Sequence, residues 1–147
     1  MIALATVFGD GTTGCECAVD SQADRLEDSK DMLMSTPVAH YSAYHRAGEW
    51  IIVSGQLGVR DGSLEDGVEA QARQALVNLK SVIESAGATI TDVAKCTVFM
   101  VDINDFAVIN GIYAEAFGDH LPARSAVCVK ALPLGGLVEI EAFVHAG

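Results

Sequence analysis

Pro122-Ala123-Arg124-Ser125 opens an apolar run to Val129, and Leu137-Val138-Glu139-Ile140-Glu141-Ala142-Phe143-Val144 follows it. Both stretches are rich in β-branched and apolar residues, so Ser125–Val129 and Leu137–Val144 read as strands. Arg124 enters the first and Glu139 sits inside the second. An ion in an apolar strand needs a partner, because burying an unpaired charge costs several kcal/mol. The planar guanidinium fork of Arg124 matches a carboxylate, which leaves two readings open: an internal ion pair or a hold on a carboxylate ligand.

Working outward, the chain from Val38 alternates strands and helices. His40–Arg46 and Trp50–Ser54 flank a hairpin turn at Ala47-Gly48-Glu49. Asp66-Gly67-Val68-Glu69 has the form of a capping box with Asp66 as cap. Val68, Ala72, Ala75, Leu76, Leu79, Val82, Ile83 and Ala86 recur at helical spacing, and Gly87 stops the helix. Lys95–Val101 is a third strand. Asn104 is expected to cap a second helix with Phe106, Ile109, Tyr113 and Phe117 on its apolar face, ended by Gly118. The order β-β-α-β-α-β-β predicts an α+β architecture, two helices on one face of a single mixed sheet.

The strands are apolar on both faces: Trp50 and Ile52 alternate with Ile51 and Val53, and Cys96, Val98 and Met100 with Thr97, Phe99 and Val101. Two helices cover only one face. The other is expected to meet a second copy of the chain.

The chain of 147 residues, half of them hydrophobic, holds one domain with a real core. Residues 1–33 stand apart. They carry seven acids against two bases and only a weak helical pattern, and are expected to be a poorly ordered or appended extension to a domain at 34–147. No apolar run approaches the ~20 residues of a membrane span, and the apolar start lacks a basic region, so a cytoplasmic protein is expected. The net charge of −11, with nine Lys and Arg in all, argues against a nucleic-acid partner. Cys15, Cys17, Cys96 and Cys128 form no CxxC pair and read as free thiols. His40, His45, His120 and His145 have no metal-ligand spacing, so no metal site is expected.

Taken together, Trp50-Ile51-Ile52-Val53-Ser54-Gly55-Gln56, Gln71-Ala72-Arg73-Gln74-Ala75-Leu76-Val77-Asn78-Leu79-Lys80, Lys95–Met100, Asn104-Asp105-Phe106 through Asn110 and Tyr113, and Pro122–Ser125 form a joint pattern over residues 38–145. In that order the chain resembles the Rid family of reactive-intermediate deaminases, also called the YjgF family. The resemblance implies a chorismate-mutase-like fold and a homotrimer with sites between subunits. It also implies a cofactor-free enzyme that hydrolyses 2-aminoacrylate or 2-imino acids to 2-keto acids and ammonia.

The same resemblance assigns residues. Arg124 matches the arginine that binds the substrate carboxylate, and Glu139 the glutamate acting on water or the substrate nitrogen. An apolar wall would raise the pKa of Glu139 toward acid–base values. Its structural alternative is a pair with Lys130 or Arg124. Glu141 shares its strand face and reads as structural or exposed. Tyr41 matches a tyrosine of the first strand that closes over the ligand, against a plain core aromatic. Ser54 and Gly55 match the cleft Ser-Gly, and Asn110 is either a buried amide or a cleft donor.

Three departures stand out. Ala39-His40 replaces a Gly-Pro before the tyrosine, making His40 a candidate lining residue. Ala126 stands where many members have cysteine, at a position of mainly backbone contact to substrate. Leu57–Gly67 is a shorter loop than usual, which implies an opened cleft. Two other readings remain: a keto-acid-binding sensor without turnover, which needs Arg124 but not Glu139, and a ribonuclease or translation inhibitor, which the acid excess disfavours.

Overall fold

The computed structural model describes residues 40–147. The expectation for residues 1–33 lies outside the described residues, as do Cys15 and Cys17. β1 (Tyr44–Ala47) and β2 (Trp50–Leu57) form the hairpin, turning at Gly48 with φ +63°. A small hairpin follows, β3 (Val59–Arg60) and β4 (Ser63–Leu64), then helix α1 (Gly67–Ser85). β5 (Val93–Met100), α2 (Phe106–Phe117), β6 (Ala123–Cys128) and β7 (Val138–His145) complete the chain. Among the described residues the main sheet has five strands in the order β1-β2-β7-β5-β6, with β5 and β6 parallel and the other pairs antiparallel. This is the mixed α+β sheet with two helices that the alternation of periods predicts.

Period two sorts each strand between two environments. Ile51 and Val53 of β2, Cys96, Val98 and Met100 of β5, and Val138, Ile140, Ala142 and Val144 of β7 are buried in one core with Ala72, Ala75, Leu79 and Ile83 of α1 and Ile109, Ile112 and Tyr113 of α2. The intervening residues form an open face. There Ile52 pairs with Phe143 and Phe99 lies beside Val127, and Trp50, Ile52, Phe143 and Val127 are 43, 39, 37 and 42 % exposed. Every residue of β6 is exposed in the single chain. Among the described residues no helix is long and apolar enough to cross a membrane.

Several boundaries differ from expectation. The first strand begins at Tyr44 rather than His40; the pairing with β2 reaches only one bond further, where the Ser54 N–H donates to the Ala43 carbonyl at 3.0 Å. Asp66 does occupy the N-cap of α1, in extended conformation, but its side chain makes no capping bond. Asn104 does not cap α2. The Asp102 carboxylate accepts the Asn104 N–H at 2.9 Å and starts a 3₁₀ turn, Ile103–Asp105, that leads into α2 at Phe106.

Leu57–Gly67, read as a loop, contains the β3–β4 hairpin, and a polar stripe on α1 holds it. Asn78 Nδ2 donates to the Leu57 and Val59 carbonyls, and Gln74 Oε1 accepts from Arg60. Buried Gln71 donates to the Glu65 carbonyl and accepts the Leu137 N–H, tying the hairpin to the start of β7. A Cβ on Gly58 would run into the Gln71 backbone, so only glycine lets the chain pass this close.

Candidate functional site

Two groups of candidate residues are held by separate devices. The first is built on the bulge of β2. Val53 pairs with Ala142 and Gln56 with Ile140, so Ser54 and Gly55 together oppose Glu141. The extra residue is Gly55, and the Glu139 side chain lies across it: a Cβ there would overlap Oε1 of Glu139. Leu57 on one side and Phe99 on the other pair with Glu139, giving its half-buried carboxylate apolar neighbours. Burial, and secondarily the Glu141 carboxylate on the same face, push the Glu139 pKa above the usual carboxylate range. The direction is the one expected. Among the described residues Glu139 has no ion pair, neither with Lys130 nor with Arg124.

Tyr41 lies outside any strand and is exposed, a correction to the expected first-strand position. Its segment is fixed from Ser54, whose Oγ donates to the Ser42 carbonyl at 2.7 Å while its N–H donates to Ala43. The Ser54 hydroxyl proton is thus committed to backbone, and its oxygen can still accept. His40 is exposed.

The second group is built on β6 and α2. Arg124 pairs with Cys96, and Ala126 with Val98, so their side chains face the helix side of the sheet. Arg124 Nη2 donates to Asn110 Oδ1 at 2.8 Å. Its Cζ lies 4.7 Å from the centroid of the Tyr113 ring and 5.8 Å from that of Phe106. Phe106, Asn110 and Tyr113 stand at i, i+4 and i+7, on one helix face. Asn110 is exposed rather than a buried amide, because among the described residues no further strand covers the edge strand β6. Val98, Met100, Phe106, Ile109, Asn110, Arg124 and Ala126 line a shallow surface depression there. Ala126 and Cys128 share its face, and the Cys128 thiol is free and exposed.

Arg124 and Glu139 are not brought together within one chain. β5 lies between their strands, and Arg124 shares the face of buried Cys96, whereas Glu139 shares that of Phe99. The two aromatic contacts to Arg124 were missed in the sequence. The helical spacing of Phe106 and Tyr113 signals a face, but not that an arginine docks on it.

The geometry has clear relatives. The family described as Endoribonuclease L-PSP matches residues 33–146. The 2-iminobutanoate/2-iminopropanoate deaminase of Escherichia coli strain K12 is 46% identical over 100 residues, covering 65% of this chain and 78% of that protein. The deaminase of the same name from Bos taurus is 42% identical over 113 residues, covering 75% of this chain and 82% of that one. The crystal structure of Escherichia coli TdcF with bound serine superposes with a TM-score of 0.73 at 34% identity, covering 80% of this chain and 100% of that chain. The sheet order, the match over most of the chain and these relatives agree: the chain belongs to the YjgF/Rid family.

Proposed function

We propose that the protein is a cofactor-independent deaminase that hydrolyses reactive 2-aminoacrylate and 2-imino acids to 2-keto acids and ammonia. The observation that carries this reading is the state of Arg124. It stands exposed on β6, held by a neutral amide and two rings, with no carboxylate partner among the described residues. A guanidinium so placed is ready for the carboxylate of a small acid. The relatives named as imine deaminases support that choice of acid.

In this reading the site forms between copies of a homotrimer, with Arg124 from one subunit and Tyr41, Ser54, Gly55 and Glu139 from its neighbour. The exposed apolar face of the sheet supports association. Arg124 neutralises and orients the substrate carboxylate, with Asn110 and the backbone of Ala126 beside it. Glu139 takes a proton from water as the oxygen adds to the C=N carbon. It returns that proton to nitrogen and then carries the hydroxyl proton of the carbinolamine to the same nitrogen, so that the C–N bond breaks as C=O forms and ammonia and the keto acid leave. 2-Aminoacrylate enters this sequence after taking a proton at C3 and losing one from nitrogen to become the imine. Water supplies the oxygen, so no oxidant or electron carrier enters the balance.

The test is keto-acid release from a threonine dehydratase reaction, which generates the imine of 2-oxobutanoate. Added protein should speed the appearance of 2-oxobutanoate above the spontaneous rate. Binding of 2-oxobutanoate with no acceleration would instead identify a sensor.

A further inference from the structure

An arginine that receives a substrate carboxylate must be kept in place without being neutralised. These demands conflict, since the strongest anchor for a guanidinium is a carboxylate. The surroundings of Arg124 resolve the conflict. Its one hydrogen-bond acceptor among the described residues is Asn110 Oδ1, a neutral oxygen at 2.8 Å. Its other contacts are the ring faces of Tyr113 and Phe106. A ring face attracts the cation but leaves its N–H groups free.

The anchor is itself rigid. Tyr113 is buried and stacks on Phe117, with centroids 4.3 Å apart and planes at 25°. Burial also drives its phenol above the usual tyrosine range, so it brings no negative charge to the arginine. Asn110 lies between Phe106 and Tyr113 on the same helix face, aimed at the outermost strand. Four further N–H groups of the guanidinium have no acceptor among the described residues, enough for a bidentate grip.

We propose that Asn110, with the rings of Phe106 and Tyr113, is a positioning residue that orients Arg124 while leaving its charge uncompensated for the substrate carboxylate. The proposal rests on the deaminase reading above and removes Asn110 from direct substrate contact. The residue type at position 110 then sets the strength of carboxylate binding. Aspartate there would be nearly the same shape and would make Arg124 half of an internal ion pair.

The experiment compares wild type, Asn110→Ala, Asn110→Asp and Arg124→Ala for 2-oxobutanoate binding by calorimetry and for KM and kcat in imine hydrolysis. Light scattering and thermal unfolding check assembly and folding. Asn110 is exposed in a helix, and alanine is well tolerated there. Asn110→Ala should weaken keto-acid binding severalfold by loosening Arg124. Asn110→Asp should weaken it further, on the order of tenfold or more, and raise KM in step while kcat stays near wild type.

A merely structural role would not make the near-isosteric aspartate worse than alanine. If Asn110→Asp binds 2-oxobutanoate as wild type does while Arg124→Ala does not, the proposal falls and the deaminase reading stands. If Arg124→Ala also binds like wild type, both fall. Should Asn110→Asp fail to fold, unchanged binding and KM in Asn110→Ala would overturn the proposal alone.

Discussion

Gly55 and the Glu139 carboxylate occupy one place: the side chain of Glu139 fills the space that a Cβ at position 55 would need. Gly55→Ala should therefore act as a mutation of Glu139 without touching it. Because the displaced atoms are the end of a flexible side chain, the fold should survive with a loss of about 1 kcal/mol. The carboxylate, however, must leave its position, and kcat should fall on the order of tenfold or more. Kinetics beside a thermal melt check this. Wild-type kcat would show that the observed position of Glu139 is unimportant.

The raised pKa of Glu139 has a sign that can be tested. As a base it works ionised, so the acid limb of the kcat/KM profile should sit above the usual carboxylate range. Glu141→Gln removes the like charge and should move that limb to lower pH, leaving the larger effect of burial. For folding the same shift favours the protonated form in the native state. That contribution to stability is full below the ordinary carboxylate pKa and is lost as pH rises through the raised one. A limb that stays put in Glu141→Gln would remove the electrostatic link between the two carboxylates.

Arg124→Ala removes the charge-assisted contact proposed for the substrate carboxylate. The expected cost is roughly 3–5 kcal/mol, on the order of 10²–10⁴-fold in kcat/KM. Arg124→Lys should restore little, because an ammonium lacks the planar fork. Glu139→Gln keeps shape but not proton chemistry, so it should lower kcat while 2-oxobutanoate binding survives. Wild-type turnover in both variants would mean that the chemistry lies elsewhere.

The open sheet face yields an assembly prediction. Light scattering should give a trimer, and Ile52→Glu should break it by setting a carboxylate opposite Phe143. Turnover should disappear with the trimer while the chain's helical signal persists. A wild-type monomer at micromolar concentration would exclude a site shared between copies.

Much of the fold was legible because its elements follow clean periods. The helical repeat from Val68 to Ala86 and the alternation in Trp50–Val53 and Lys95–Val101 correspond to α1, β2 and β5. The β3–β4 hairpin was missed although Asp61-Gly62, both at positive φ, is a strong two-residue turn signal. It was obscured because flanking strands of two residues show no alternation. Tyr41 was misplaced because the composition of His40–Arg46 does not mark where its pairing with β2 stops, a property of two strands together. Strand parity showed that Glu139 and Glu141 share a face. That Arg124 takes the opposite face follows only from the β5–β6 and β5–β7 registers, which depend on residues distant in sequence.

In the proposed homotrimer, that opposition of Arg124 and Glu139 across one sheet makes defects in the two residues complementary. A subunit lacking the arginine still offers its glutamate to a neighbour, and a subunit lacking the glutamate still offers its arginine. In a ring of three, every mixed assembly of Arg124→Ala and Glu139→Gln chains contains one junction where both intact residues meet. Two dead proteins, unfolded and refolded together in equal amounts, should thus recover about a quarter of the wild-type sites. Mixing them without subunit exchange should recover nothing.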